Sequence, residues 1–132
     1  MALDLTPPAS TLQPRDGADI GITAAAADIT TDQTPVDSAE SFDTTIERIY
    51  FFIGFQNMDN GITWSRILYR EGIPIQGGSY PWALGESGSS FFFFGRDGGY
   101  PPGDYEVRVF LGIAEVSRFR FTVVSKGLEQ AY

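Results

Sequence analysis

Cysteine and histidine are both absent from this chain of 132 residues, and the two absences remove most familiar catalytic constellations. Without cysteine there is no disulfide, no thiolate metal site and no thiol nucleophile. Without histidine the commonest general base at neutral pH and the commonest transition-metal ligand are missing. Long apolar runs are lacking as well: none approaches the roughly 20 residues that a membrane-spanning helix needs. The opening Met1-Ala2-Leu3-Asp4-Leu5 has neither a basic nor an apolar segment, so no export leader is visible in it. Positive charge is scarce, with 9 bases against 17 acids and a net charge of −8. It is also unevenly balanced. Residues 1–47 hold nine acids and a single base, Arg15, while residues 48–132 hold eight of each. An acidic leader on a neutral body offers no clustered positive surface for nucleic acid and none for anionic lipid.

What the chain has in quantity is aromatic residues and turn formers. Eleven Phe, six Tyr and two Trp suit pleated sheets, and fifteen Gly with eight Pro imply many turns. The last third is the most regular. The turn cluster Gly99-Tyr100-Pro101-Pro102-Gly103 leads into alternating Asp104–Leu111, then a break at Gly112 and a second alternating run through Phe119–Val123, the pattern of a β-hairpin. Tyr105 stands where immunoglobulin-like sandwiches place the tyrosine whose hydroxyl ties a corner to the backbone. Upstream, Arg48–Phe55 is apolar on both faces and reads as a central strand. Asn57–Gly61 reads as a turn with a hairpin dipeptide, Thr63–Tyr69 as a strand, and Ile73-Pro74-Ile75 as a short edge piece. Residues 76–90 read as loop and Phe91–Phe94 as a buried strand. Ile20–Ala24 reads as the first strand, with a helical turn over Ala24–Ala27 the competing assignment. Residues 28–47 read as a long polar connection anchored by Phe42. About seven strands with turns every 8–12 residues describe an all-β, immunoglobulin-like β-sandwich. Residues 1–18, rich in proline, form an extended N-terminal arm, and 19–132 form the sandwich.

From Pro35 to Val124 the chain resembles immunoglobulin-like sandwich domains of predicted surface or secreted proteins of filamentous green, Chloroflexi-type bacteria. The resemblance is carried by Pro35-Val36 with Phe42, by Arg48-Ile49-Tyr50 and by the Tyr69-Arg70-Glu71-Gly72 hairpin. Trp82 with Gly85 and Gly88, Pro101–Val107 and the strand Phe119–Val123 complete it. It implies an accessory module at the cell surface or outside the cell, and it brings no binding residues with it.

Catalytic readings fail on their own terms. Gly85-Glu86-Ser87-Gly88 lacks the second glycine of a nucleophile elbow, where Ser89 stands, and no histidine exists to activate a serine. Asp104 and Glu106 lie two apart at a strand start, a solvated face rather than a glycosidase pair. Arg96-Asp97-Gly98-Gly99 and Asn57–Gly61 lack the acid spacing of a calcium loop. The expectation is a non-catalytic structural or interaction subunit, without cofactor or metal, in a surface or extracellular assembly such as a filament. Leu3, Leu5 and Leu12 of the arm are expected to anchor in apolar grooves of neighbouring copies. Asp4, Asp16 and Asp19 would then face arginines such as Arg66, Arg70, Arg118 or Arg120 of the acceptor. One alternative is a carbohydrate-binding or adhesive module using Tyr80, Trp82 and Tyr100, whose rings fall in glycine-rich segments. The other is a virion decoration protein.

Overall fold

Nine strands form, and period-two burial explains most of them. The structure, a computed structural model, describes residues 5–125, so Leu3 and Asp4 of the expected arm lie outside the described residues. The strands are β1 (Asp19–Ile29), β2 (Pro35–Ser38), β3 (Ser41–Asp43), β4 (Arg48–Gln56), β5 (Thr63–Arg70), β6 (Ile73–Pro81), β7 (Gly88–Gly95), β8 (Gly103–Leu111) and β9 (Ala114–Val124). They build one sheet in the order β2-β1-β4-β7 and a second in the order β3-β9-β8-β5-β6. Neighbours are antiparallel except β3 and β9, which run parallel. The fold is an all-β sandwich.

Several expectations are corrected. Ala24–Ala27 continues β1 rather than making a helical turn, because its cross-strand partners Phe52, Phe51 and Tyr50 supply packing that outweighs alanine's helix propensity. The polar connection 28–47 contains the two short strands β2 and β3, which accounts for nine strands instead of seven. Phe42 is buried against Phe121, as expected of an anchor. Asn57–Gly61 does not close a hairpin: β4 and β5 belong to different sheets, so the turn arches across the end of the sandwich. Met58 and Ile62, both fully buried, plug that end and set the arch. The loop expected over 76–90 shrinks to 82–87, since β6 runs on to Pro81 and β7 starts at Gly88.

Between the sheets, the inward rings of β4 and β7 meet those of β9. Phe51 stacks on Phe92 at 5.5 Å and contacts Phe121 at 5.6 Å. Ile49, Ile53, Leu68, Val107 and Val109 complete this layer. The Tyr69–Gly72 hairpin closes as expected: Glu71 and Gly72 both have left-handed φ (51° and 80°) between the paired Arg70 and Ile73, the mirror-image turn that matches strand twist. Tyr105 is buried and its hydroxyl donates to the Pro101 carbonyl at 2.6 Å, fastening the corner before β8. Burial also pushes the Tyr105 phenol up from its ordinary pKa, so the hydroxyl stays a donor. Tyr105→Phe removes that bond and leaves the carbonyl short of a partner. The expected loss is about 0.5–1.5 kcal/mol in urea unfolding; an unchanged midpoint and slope would show that the corner does not depend on it.

Candidate functional site

The arm turns back onto its own domain. Ser10, buried, accepts a hydrogen bond from the Thr63 amide at 2.9 Å and donates to the Leu12 carbonyl. Arg15 reaches Asp59 (3.0 Å) and Glu86 (2.9 Å) on the two turns at the plugged end of the sandwich. Asn57 donates to the Gly17 carbonyl. Leu5 is half-buried and Leu12 is 43 % exposed beside Gly61. The polar anchors of the arm are thus satisfied within the chain, while the Leu12 side chain stays exposed. Of the four arginines expected to receive Asp16 and Asp19, three are occupied elsewhere. Arg118 pairs with Glu115, Arg120 with Glu106, and Arg70 donates to the Pro102 carbonyl.

Of the three aromatics considered for ligand stacking, two have no face to offer. Trp82 is 1 % exposed, edge-on to Phe55 (4.7 Å) and Trp64 (5.2 Å), and its indole N–H donates to the Gly85 carbonyl. The fold needs an apolar plug where the two sheets end, and the indole fills it. Tyr100 is also 1 % exposed. Its hydroxyl donates to Gln76 Oε1 at 2.7 Å, and burial pushes its pKa up to about 12. Tyr80 remains open at 44 %.

Tyr80 frames a feature that strand reading missed. It lies back over Gly78, where an added Cβ would stand 2.6 Å from its hydroxyl. There it faces Arg66, whose guanidinium sits 4.6 Å from the Tyr80 ring, 5.0 Å from Phe92 and 5.2 Å from Trp64. The other seven arginines each find an oxygen: Arg15, Arg108, Arg118 and Arg120 on carboxylates, Arg48 on the Tyr50 hydroxyl, Arg70 and Arg96 on carbonyls. Arg66 has no such acceptor among the described residues. Only a count of cross-strand partners, Arg66 opposite Gly78, could have signalled it.

On the outer face of the second sheet, a groove of about 660 Å³ runs past Glu40, Tyr69, Asp104 and Thr122 to the ion cluster around Glu106. Glu106 takes Arg108 and Arg120 directly, with Arg118 at 3.7 Å, and Arg108 lies over the Tyr69 ring at 4.2 Å. The charged groups of this cluster pair with one another and lock β8 to β9.

The remaining surface is the β7 edge. Phe91–Phe94 is not a buried strand: Phe92 and Phe94 point into the core, whereas Phe91 and Phe93 point outward beside Tyr50 and Phe52 of β4. Phe93 is 44 % exposed under the Arg48 guanidinium. A cleft of about 280 Å³ separates Phe52, Ser89 and Ser90 from the β1–β2 turn at Asp32–Pro35. Among the described strands β7 pairs only with β4. Among the described residues, the side-chain hydrogen bond that reaches its backbone is Gln76 Nε2 to the Gly95 carbonyl, at 2.8 Å.

The other three sheet edges carry features that discourage pairing with a foreign strand. β2 has four residues, starts with Pro35 and has Asp37 at a left-handed φ of 56°. β3 has three residues and covers only Thr122–Val124 of β9, whose remaining length on that edge carries Glu115, Arg118 and Arg120. β6 contains Pro74, Gly77-Gly78 and Pro81 and carries a bulge at Ile75. β7 has none of these: eight residues, no proline, no charge, and four consecutive phenylalanines.

Against known proteins, no family model matches the chain, and neither does any curated protein. Solved structures do. An immunoglobulin-like protein from Pseudomonas aeruginosa matches at a TM-score of 0.50 and 9 % identity, over 85 % of this chain and 95 % of that one. The fold is immunoglobulin-like. A CARDB domain from Pyrococcus furiosus, solved with di-metal ions, matches at 0.47 and 10 % identity, over 87 % and 99 % of the two chains. A beta-glucosidase from Listeria innocua matches at 0.46 and 11 % identity, over 81 % of this chain and 16 % of that one.

The Glu106 cluster makes a pH prediction. Burial works to raise the Glu106 pKa, but hydrogen bonds from Arg120 and Arg108 and the nearby guanidinium charges outweigh it and hold the carboxyl below the ordinary glutamate value. A depressed folded-state value stabilises the fold above the unfolded pKa and loses that contribution as pH falls through the folded one. Glu106→Gln should therefore cost about 1–3 kcal/mol near neutrality. The gap from the parent should close on acidification through that lowered value. A gap that stays constant in urea melts taken down the pH scale would mean that charge is not what Glu106 contributes.

Proposed function

We propose that this chain is a non-catalytic interaction module, a structural subunit of a surface or extracellular assembly, and that it engages its partner by strand addition along β7. One observation carries the reading: of four sheet edges, three have the features that prevent strand addition, and β7 is long, uncharged and apolar. Main-chain hydrogen bonds along such an edge supply affinity, and side chains of alternate parity supply selectivity. Surface placement is supported by the resemblance of residues 35–124 to domains of surface and secreted proteins. The test is a peptide of the β7 sequence, Gly88–Gly95, made soluble with terminal lysines and followed by fluorescence anisotropy. It should bind the protein, and Phe93→Lys, which puts a charge on the outer side of the edge, should weaken binding at least tenfold. Absence of binding, or equal binding by the variant, would overturn the reading. Antibody staining of intact cells tests the placement: staining supports it, and staining only after permeabilisation contradicts it.

Arg66 favours a second reading. A guanidinium held among three rings with no acceptor among the described residues suits a carboxylate-bearing sugar, its ring on the open face of Tyr80 and its carboxylate on Arg66. Titration with polygalacturonate should then show binding that Arg66→Ala and Tyr80→Ala each abolish. Binding that survives both variants, or none by the parent, would remove this reading.

A further inference from the structure

The geometry points to a second copy of this chain as the partner at β7, paired antiparallel about a two-fold axis through Phe92. The inference rests on the reading of β7 as the strand-adding edge, and it goes further by naming the occupant, the register and the size of the assembly.

The first argument is chemical fit. An uncharged edge of eight residues is matched by a strand that is equally long and uncharged, free of proline and open on one side. Among the described residues β7 itself has that character, whereas β2, β3 and β6 do not. Charge placement agrees. The net charge of −8 resides in residues 1–47, and Asp19, Asp28 and Asp37 sit on β1 and β2, separated from β7 by β4 in the strand order. Two copies of an acidic molecule meet with least repulsion across the neutral half that contains β7.

The second argument is register. Residues directly opposed in an antiparallel pair project from the same face. Outward Phe91 and Phe93 must therefore oppose outward residues, which leaves axes centred on a residue of β7. An axis at Phe92 pairs Ser89 through Gly95. It sets Phe91 against the partner's Phe93 on the outer face, Phe93 against the partner's Phe91, and the two Phe92 rings on the inner face. That makes three aromatic cross-strand pairs. An axis at Phe93 also makes three but pairs only residues 91–95 of the strand, and an axis at Phe91 makes one, with phenylalanines otherwise opposite serine or glycine. Aromatic cross-strand pairs are the stabilising unit of such a ladder, and the Phe92 axis is the longer of the two that make three, so it is selected.

The third argument is closure. A two-fold contact uses the same edge on both copies and is complete at two. With the other edges blocked, the assembly stops at a dimer whose β2-β1-β4-β7 sheets join into one of eight strands. Growth into a filament needs a second contact that these edges do not offer. The area is modest. Seven residues of edge with partly exposed rings cover less than the roughly 1,600 Å² of a standard interface, so the dimer should be reversible, with a dissociation constant on the order of micromolar.

The absence of cysteine makes the test clean. Phe91→Cys and Phe93→Cys are prepared separately, mixed in equal amounts and oxidised, while the parent is followed by sedimentation equilibrium from 1 µM to several hundred µM. The expected result is a concentration-dependent dimer of the parent, a disulfide that forms much faster in the mixture than in either variant alone, and a tenfold or greater weakening of the dimer by Phe93→Lys with an unchanged circular dichroism spectrum. Rapid cross-linking of either variant with itself would overturn the register. A parent that stays monomeric throughout would overturn the inference. If the β7 peptide still binds that monomeric parent, strand addition stands and the partner is another chain; if the peptide also fails, both readings fall together.

Discussion

Every strand at the margin of a sheet exposes a row of backbone N–H and C=O groups that must meet water, a side chain or another strand, and this requirement organises the whole molecule. A two-sheet sandwich has four such margins. β2 and β3 are kept to four and three residues, and β6 is interrupted by proline and glycine. The N-terminal segment serves the same requirement at the start of β5, where Ser10 supplies an acceptor for the Thr63 amide. Tyr105 does so at the opposite end, by binding the Pro101 carbonyl. β7 is the margin with the least provision, since among the described residues Gln76 alone reaches its backbone with a side chain, at Gly95. An eight-residue apolar edge left open carries a risk of aggregation unless something is meant to occupy it, and that is the physical ground for reading it as an interface.

The aromatic content follows from the same architecture. β4 and β7 put rings on both faces of one sheet. The inward set, Phe51 with Phe92 and Phe94, joins Phe121 of β9 to make the centre of the core. The outward set, Tyr50, Phe52, Phe91 and Phe93, packs ring against ring and is partly covered by Arg48. Rings on the inner face follow from the need to fill about 10 Å between sheets. Rings on the outer face of an edge strand add nothing to that core. Their packing into a row beside the open edge gives an incoming strand a surface to land on.

Much of this was legible in the amino-acid order, and the failures share a cause. The β8–β9 hairpin, its tyrosine corner and the β5–β6 turn were readable because local chemistry decides them: Gly112, Pro101-Pro102 and Glu71-Gly72 set the chain's course within a few residues. Which sheet a strand joins is not local. Asn57–Gly61 looks like a hairpin turn, yet buried Met58 and Ile62 make it an arch between sheets. Phe91–Phe94 looks like a strand buried on both sides, since a run of four rings has no alternation to show which face is out. Its place at an edge is fixed by β4, some forty residues earlier. Trp82 and Tyr100 sit among glycines and prolines like exposed loop residues, and their burial depends on Phe55, Trp64 and Gln76, which come from other strands. Arg66 was invisible as a special cation because nothing in its neighbourhood of sequence reveals that no acid among the described residues meets it.

The most direct measurement of the central claim is amide hydrogen–deuterium exchange along β7 at low and high protein concentration. Alternate amides of β7 face β4 and should be protected at any concentration. The others face the open edge, and they should exchange quickly in dilute solution and become protected as the concentration rises, while β2, β3 and β6 show no such change. Edge amides of β7 that are protected even at the lowest concentration, or that remain fast at the highest, would contradict an open edge filled by association.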